Sequence, residues 1–486
     1  MVIKMEMYQT SFQLQQLLQK WQYDPSIREN VAYRHDQPAV DAAWADFPDE
    51  IEPRLVQALE KIGISKLFIH QRAAWDAVRQ RKHVVITTGT ASGKTLAYNL
   101  PVISRFLQND EACVLYLYPT KALAQDQEHG LRTLLLALDN RRNPEKHLGL
   151  YDGDTPQEKR RIIRKEAHFV FTNPDMLHRG ILPFHTAWQR FFSNLQFVVI
   201  DEVHTYRGVF GSHVANVIRR LKRIARFYGS DPQFIMTSAT IANPKEFTER
   251  MIEEPVELIS KDGSPHGKRN YVLYNPPIVQ EELGIRRSPT VEAVRLCEDL
   301  FDSRIQALIF GLSRKSVEFT LKRLQQSFPD RVDEIFSYRS GYLPLERRQI
   351  ERRIRDGSAR VVVATNALEL GIDIGGLDAI MMMGYPGTLS GFRQQAGRSG
   401  RKERESLVVM IASGSPLDQF LLQHTDYLFD RPVEQALIQP DNLIILFQHI
   451  RCAIFELPFM SGERFGNVDP EMLTQLLDVQ IGRAHV

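Results

Sequence analysis

Thr88-Gly89-Thr90-Ala91-Ser92-Gly93-Lys94-Thr95 follows the short apolar run Val84-Val85-Ile86 and opens a stretch of helical period. Small residues between a strand and a helix let backbone N–H groups approach an anion at the helix N-terminus. In that setting Thr90, Ala91, Ser92 and Gly93 cradle phosphate, Lys94 reaches the terminal phosphates, and the Thr95 hydroxyl is placed to ligate magnesium. Thr88 and Ala91 replace the usual first and second loop glycines, so the pattern needs a second motif beside it.

That motif is Asp201-Glu202-Val203-His204, at the end of the buried-type apolar run 197–200. Asp201 is placed to hold magnesium and Glu202 to orient or deprotonate an attacking water. An acidic pair capping a strand is elsewhere a surface turn, but its position after a phosphate loop selects the catalytic reading. Ser238-Ala239-Thr240 follows the run 234–236. With His204, Ser238 and Thr240 are expected to link hydrolysis to domain closure. His70-Gln71 precedes the loop, and the Gln71 amide can pair with both the N6 and N7 edges of adenine.

Working outward, apolar runs at 84–86, 114–118, 169–171, 197–200 and 234–236 are each followed by a longer segment of helical period. The alternation predicts a parallel sheet flanked by helices. It lapses across 255–290, where Asp262-Gly263-Ser264-Pro265 and Asn275-Pro276-Pro277 read as linker. It resumes at 307–310, 361–364, 379–383 and 407–412. The expected organisation is a short helical N-terminal extension at 1–50, an α/β domain at 51–255, a linker at 256–290 and a second α/β domain at 291–435. The start of a helical C-terminal region follows at 436–486.

The second domain carries Gln394-Gln395-Ala396-Gly397-Arg398-Ser399-Gly400-Arg401. Two arginines three residues apart, flanked by glycines, are a natural source of positive charge for a phosphoryl transition state on the opposite domain. A site divided in this way makes closure conditional on nucleotide.

The 61 basic and 59 acidic side chains leave a formal charge of +2, so any nucleic-acid track must be local rather than global. Cys113, Cys297 and Cys452 are scattered, which predicts buried thiols and no four-thiolate zinc site. No stretch approaches the roughly 20 apolar residues of a membrane span. The Gln-rich N-terminus lacks a secretory signal's apolar core, so a cytoplasmic, nucleoid-associated location is expected.

With these motifs in order, residues 50–457 resemble the superfamily 2 DExH-box helicases, and within them the MrfA/YprA-like bacterial DNA helicases, related to a RecQ-like eukaryotic branch. The narrowing stretches are Thr365-Asn366-Ala367-Leu368-Glu369-Leu370-Gly371-Ile372-Asp373-Ile374-Gly375-Gly376-Leu377-Asp378 and Gly384-Tyr385-Pro386-Gly387-Thr388. Tyr338-Arg339-Ser340-Gly341-Tyr342 with Arg347-Arg348, and the Ala91-containing loop, point the same way. An RNA DEAD-box protein carries Asp where this chain has His204. The resemblance implies two tandem RecA-like P-loop NTPase domains, 3′-to-5′ translocation on single-stranded or forked DNA, and a role in DNA repair, with a repair nuclease as a further partner. It also implies Gln71 at adenine, Gly371 and Asp373 at the nucleotide, Gln394 positioning water, and Arg398 and Arg401 reaching ATP from the opposite lobe. Such proteins continue into a region with a four-cysteine metal site. Zinc is therefore expected only in a segment beyond this sequence.

Thr120-Lys121, Thr172-Asn173, Arg314 and Thr365 stand at strand ends, where small polar groups bind sugar-phosphate without reading bases. Each suits a helix cap equally well. Arg347, Arg348, Arg352 and Arg353 read as a solvated helix face. The competing readings are an RNA helicase, a non-hydrolysing nucleotide-binding scaffold and a motor subunit of a restriction or remodelling system. Finally, Ile481-Gly482-Arg483-Ala484-His485-Val486 matches one reading frame of a common sequencing adapter. The natural protein is therefore expected to be longer, an expectation that a genomic stop codon after Val486 would refute.

Overall fold

The computed structural model of the protein describes residues 2–138, 144–339, 341–368, 375–400, 404–460, 462–468 and 471–475. The chain divides into two compact units, one comprising 44–89, 93–263 and 435–486, the other 1–43, 90–92 and 264–434.

In the first unit seven strands form one sheet in the order Val256–Ile259, His83–Thr87, Gln233–Ser238, Leu195–Ile200, Cys113–Leu117, Phe169–Thr172, Leu148–Leu150. All are parallel. A parallel sheet needs crossover connections that cover both faces, so its strands read as continuous apolar runs. Side chains still alternate between faces. Val84 and Ile86 pack with Tyr98, Val102 and Leu131 on one side, whereas Val85 joins Val198, Ile218 and Leu221 on the other. Parallel pairing brings the ends of His83–Thr87, Leu195–Ile200 and Gln233–Ser238 to one edge, which is where the motifs lie.

The C-terminal segment belongs to this unit. Helix Leu443–Glu456 lies against helix Gly208–Phe227, and Ala436, Ile438 and Leu457 enter the core beside Val214 and Ile218. Two successive arginines of the longer helix are buried and need carboxylates. Arg219 binds Glu253 at 2.5 Å and Asp441 at 2.6 Å, while Arg220, fully buried, forms a two-pronged pair with Glu456. Arg223 binds Glu463 at 2.6 Å and stacks 3.9 Å from the Phe459 ring centre. Removing one partner of a buried pair leaves the other charge uncompensated, at a cost of roughly 3–5 kcal/mol. Glu456→Gln is therefore expected to destabilise the first unit by about that amount, read from the midpoint of urea unfolding. An unchanged midpoint would show that Arg220 does not depend on this carboxylate.

The second unit also has a seven-stranded sheet, ordered Val31–Gln37, Arg269–Tyr274, Ser406–Ile411, Ala379–Met383, Ala307–Phe310, Val361–Ala364, Ile335–Tyr338. Only the first pairing is antiparallel. Helix Val2–Tyr23 covers part of this sheet: Leu14, Leu17 and Trp21 pack with Leu296 and Leu300, and Asp299 accepts from Trp21 Nε1 at 2.7 Å and pairs with Lys20.

Two expectations need correction. The segment read as linker contains Val256–Ile259, which pairs with His83–Thr87, and Arg269–Tyr274, an inner strand of the second sheet. The N-terminal extension is not only helical, since Val31–Gln37 is a sheet-edge strand of the second unit. Cys113 and Cys297 are buried, burial pushing the Cys113 thiol up to about 12, but Cys452 is half-buried. Among the described residues no helix is long and apolar enough to cross a membrane.

Candidate active site

The phosphate loop joins strand His83–Thr87 to helix Lys94–Gln108. Gly93 caps that helix in the left-handed conformation (φ 82°), and a Cβ there would lie 2.7 Å from Gln71 Nε2. Ala91, where a glycine was the expected residue, also has positive φ (59°), a conformation costing a non-glycine residue roughly 1–2 kcal/mol. Strain of this kind persists where the surrounding structure imposes it.

Lys94 Nζ donates to three carbonyls, Thr88 O at 3.0 Å, Gly89 O at 3.2 Å and Ser238 O at 3.4 Å. Its charge is thereby held at the loop. Thr95 Oγ1 donates to Gln127 Oε1 at 3.0 Å, which leaves the hydroxyl lone pairs available to a cation. The buried Gln71 amide braces the loop: Nε2 donates to Gly93 O at 3.0 Å and Oε1 accepts from Phe68 N at 2.9 Å. A primary amide retains a second N–H and a second lone pair.

Asp201 ends strand Leu195–Ile200 and is buried. Its Oδ1 accepts from Thr237 Oγ1 and, at 3.0 Å, from Glu202 N. Burial, and then the adjacent Glu202 carboxylate, push the Asp201 carboxyl well above the usual carboxylate range. A bound divalent cation would reverse that preference. Glu202 is also buried and sits at φ 52°, a second strained non-glycine residue among the motifs. His204 Nδ1 accepts from Ala239 N at 3.1 Å, which assigns its proton to Nε2, and lies 3.4 Å from Glu202 Oε2. Burial lowers the His204 pKa. His204 thus ties the acid-pair motif to the Ser238-Ala239-Thr240 turn. Ser238 is buried and Thr240 exposed.

Several strand-end candidates have structural employment. Thr120 Oγ1 accepts from Leu123 N at 3.3 Å and Asn173 Oδ1 from Met176 N at 2.8 Å, both as helix caps. Thr172 is buried and its hydroxyl donates to Tyr151 O at 2.6 Å. Lys121 pairs with Asp154 at 2.9 Å and is partly exposed. In the second unit Arg314 opens helix Arg314–Ser327, whose cap is Ser313, and Thr365, largely buried, follows strand Val361–Ala364. Gln394 is buried in helix Leu389–Ala396 and Arg398 lies two residues beyond it. Gly371, Asp373 and Arg401 lie outside the described residues.

Two residues escaped the sequence reading. Thr237 precedes Ser238 on its strand, and the turn tripeptide gives no hint that the residue before it serves Asp201. Asp262, in the supposed linker, accepts from the Gly89 N–H at 2.8 Å. Its only sequence signal is the turn-forming Asp-Gly pair.

Phosphate loop, acid pair and the turn carrying Ala239, brought to one edge of a parallel sheet, make the first unit a P-loop nucleotide-binding fold of superfamily 2. Residues 69–247 match the DEAD/DEAH box helicase family, and residues 292–403 match the helicase conserved C-terminal domain. The chain belongs to the superfamily 2 DExH-box helicases and is an MrfA/YprA-like member, with both units RecA-like. It is 48% identical over 453 residues to the uncharacterized ATP-dependent helicase YprA of Bacillus subtilis, covering 92% of this chain and 60% of that protein. To the ATP-dependent helicase HRQ1 of Saccharomyces cerevisiae it is 38% identical over 455 residues, covering 91% and 42%. The crystal structure of the DUF1998 helicase MrfA bound to DNA and AMPPNP matches with a TM-score of 0.90 at 46% identity, covering 96% of this chain and 64% of the other. The chain thus spans between two fifths and two thirds of the length of these relatives.

Proposed function

We propose that the chain is an ATP-dependent DNA translocase and helicase motor, moving 3′ to 5′ on single-stranded or forked DNA in DNA repair and hydrolysing ATP to ADP and phosphate. The observation that carries this is the hydrogen bond from Ala239 N to His204 of the acid-pair motif, beside Lys94 bound to Ser238 O. Those three motifs form one hydrogen-bonded group, as a motor needs if hydrolysis is to be felt elsewhere. The relatives named as ATP-dependent helicases, and the MrfA structure bound to DNA and a nucleotide analogue, support the same reading.

In this proposal Thr90 to Thr95, Gln71, Gly371 and Asp373 hold the nucleotide. Thr95 and Asp201 would hold magnesium, which would supply positive charge against the phosphate oxygens. Glu202 orients and deprotonates the attacking water with Gln394, and Lys94, Arg398 and Arg401 stabilise the phosphoryl transition state. Thr120, Lys121, Thr172, Asn173, Arg314 and Thr365 line the nucleic-acid path through backbone N–H and exposed polar groups. The capping roles of Thr120 and Asn173, and the burial of Thr172, shift that burden toward Lys121 and Arg314. A repair nuclease is the further partner, and nucleoid association the expected location.

The test is turnover with and without nucleic acid. Single-stranded DNA is expected to stimulate ATP hydrolysis several-fold more than RNA of the same sequence, with stimulation falling steeply as salt rises. Equal stimulation by the two would favour an RNA helicase.

A further inference from the structure

We propose that Asp262 is a positioning residue that ties the phosphate loop to the segment leading into the second unit. This rests on the nucleotide site as read above. Strand Val256–Ile259 runs parallel to His83–Thr87, so both chains leave the sheet at the same edge. One of them becomes the phosphate loop. Three residues after the other ends, the carboxylate of Asp262 accepts the Gly89 N–H at 2.8 Å. Residue Gly89 is therefore held on both sides, since its carbonyl accepts from Lys94 Nζ at 3.2 Å.

The next residue makes a second attachment. Gly263 N donates at 3.2 Å to Nδ1 of the buried His70, which lies 3.8 Å from Asp262 Oδ1. His70 is adjacent to Gln71, whose amide holds Gly93 O at the far end of the loop. Residues 262 and 263 thus contact the loop's first glycine and the helix that braces its last. Immediately beyond, at Ser264, the chain passes into the second unit. A carboxylate–amide bond at that point is charge-assisted and stronger than a neutral one. A small beta-carbon at Gly89 would approach the same carboxylate oxygen to 3.3 Å, so the contact is close as well as polar. In this proposal Asp262 acts through Gly89. Its effect is to make the conformation of Gly89 and the path of the outgoing chain depend on each other.

The experiment is steady-state ATP hydrolysis by Asp262→Ala and Asp262→Asn with saturating single-stranded DNA, beside the unsubstituted chain. Asp262→Ala is expected to lower DNA-stimulated kcat about tenfold while KM for ATP stays within about threefold, as loss of one charge-assisted bond that matters in the closed state would do. Asp262→Asn keeps an acceptor oxygen and is expected to recover kcat to within about threefold of the unsubstituted chain. Unchanged kcat in Asp262→Ala would overturn the proposal. So would faster turnover, which would make the carboxylate a brake, or a loss confined to KM. A kcat in Asp262→Asn as low as in Asp262→Ala, at unchanged melting temperature, would also overturn it. Failure of the unsubstituted chain to hydrolyse ATP at all would instead sink the functional reading itself.

Discussion

Replacing Lys94 with alanine is expected to lower ATP turnover by about 10³-fold or more, while affinity for single-stranded DNA stays within a few-fold. The ammonium is not a mobile surface charge. Its three donors are aimed at Thr88 O, Gly89 O and Ser238 O, which fix it at the loop proposed to hold the phosphates. A preorganised cation of this kind acts without reorganisation during the reaction, so its removal raises the barrier rather than weakening a surface contact. The fold should survive, because alanine is the best helix former and Lys94 is the first residue of helix Lys94–Gln108. DNA affinity should also survive, because the groups proposed to touch the strand lie at other strand ends. ADP release measured beside fluorescence anisotropy of a labelled oligonucleotide separates the two effects. Normal turnover in this variant would remove the phosphate-site assignment.

Arg398→Ala is expected to lower kcat by about 10³–10⁵-fold, the range for a transition-state arginine in nucleotide hydrolases. Its backbone is well anchored: Arg398 N donates to Gln395 O at 3.1 Å and Arg398 O accepts from Leu377 N at 3.1 Å. The preceding helix Leu389–Ala396 is itself capped by Thr388, whose Oγ1 accepts from Gly391 N at 3.0 Å. A guanidinium projected from a fixed point loses little entropy on engaging a phosphoryl group. Arg398→Lys should recover little of the rate, since an ammonium lacks the planar fork that binds two oxygens at once. ATP affinity, measured by equilibrium binding, should fall far less than kcat, because the charge is needed most when the phosphoryl group is in transit. Turnover within tenfold of the unsubstituted chain would exclude Arg398 from the reaction.

The edge that carries the motifs was legible because it is built from local units. Each motif is a strand followed by a short turn, and the residue that follows an apolar run in a parallel sheet must emerge at the same edge as its neighbours. Lys94, Asp201 and Ser238 needed no knowledge of which strand lies beside which. The strand-end polar groups were less legible. A threonine or asparagine after a strand caps the next helix as readily as it binds phosphate, and at Thr120 and Asn173 the cap is what forms.

Sequence alone determined the two α/β units and the order of their motifs, because periodicity and turn residues act over a few positions. Tertiary structure alone decided that Val31–Gln37 and helix Val2–Tyr23 belong to the second unit, and that Val256–Ile259 completes the first sheet. It also decided that Glu456 answers the buried Arg220, and that Asp262 reaches Gly89. In each of these cases the partner lies far away along the chain, and a single charged or weakly alternating residue looks solvent-facing until the backbone brings its counterpart within hydrogen-bonding distance.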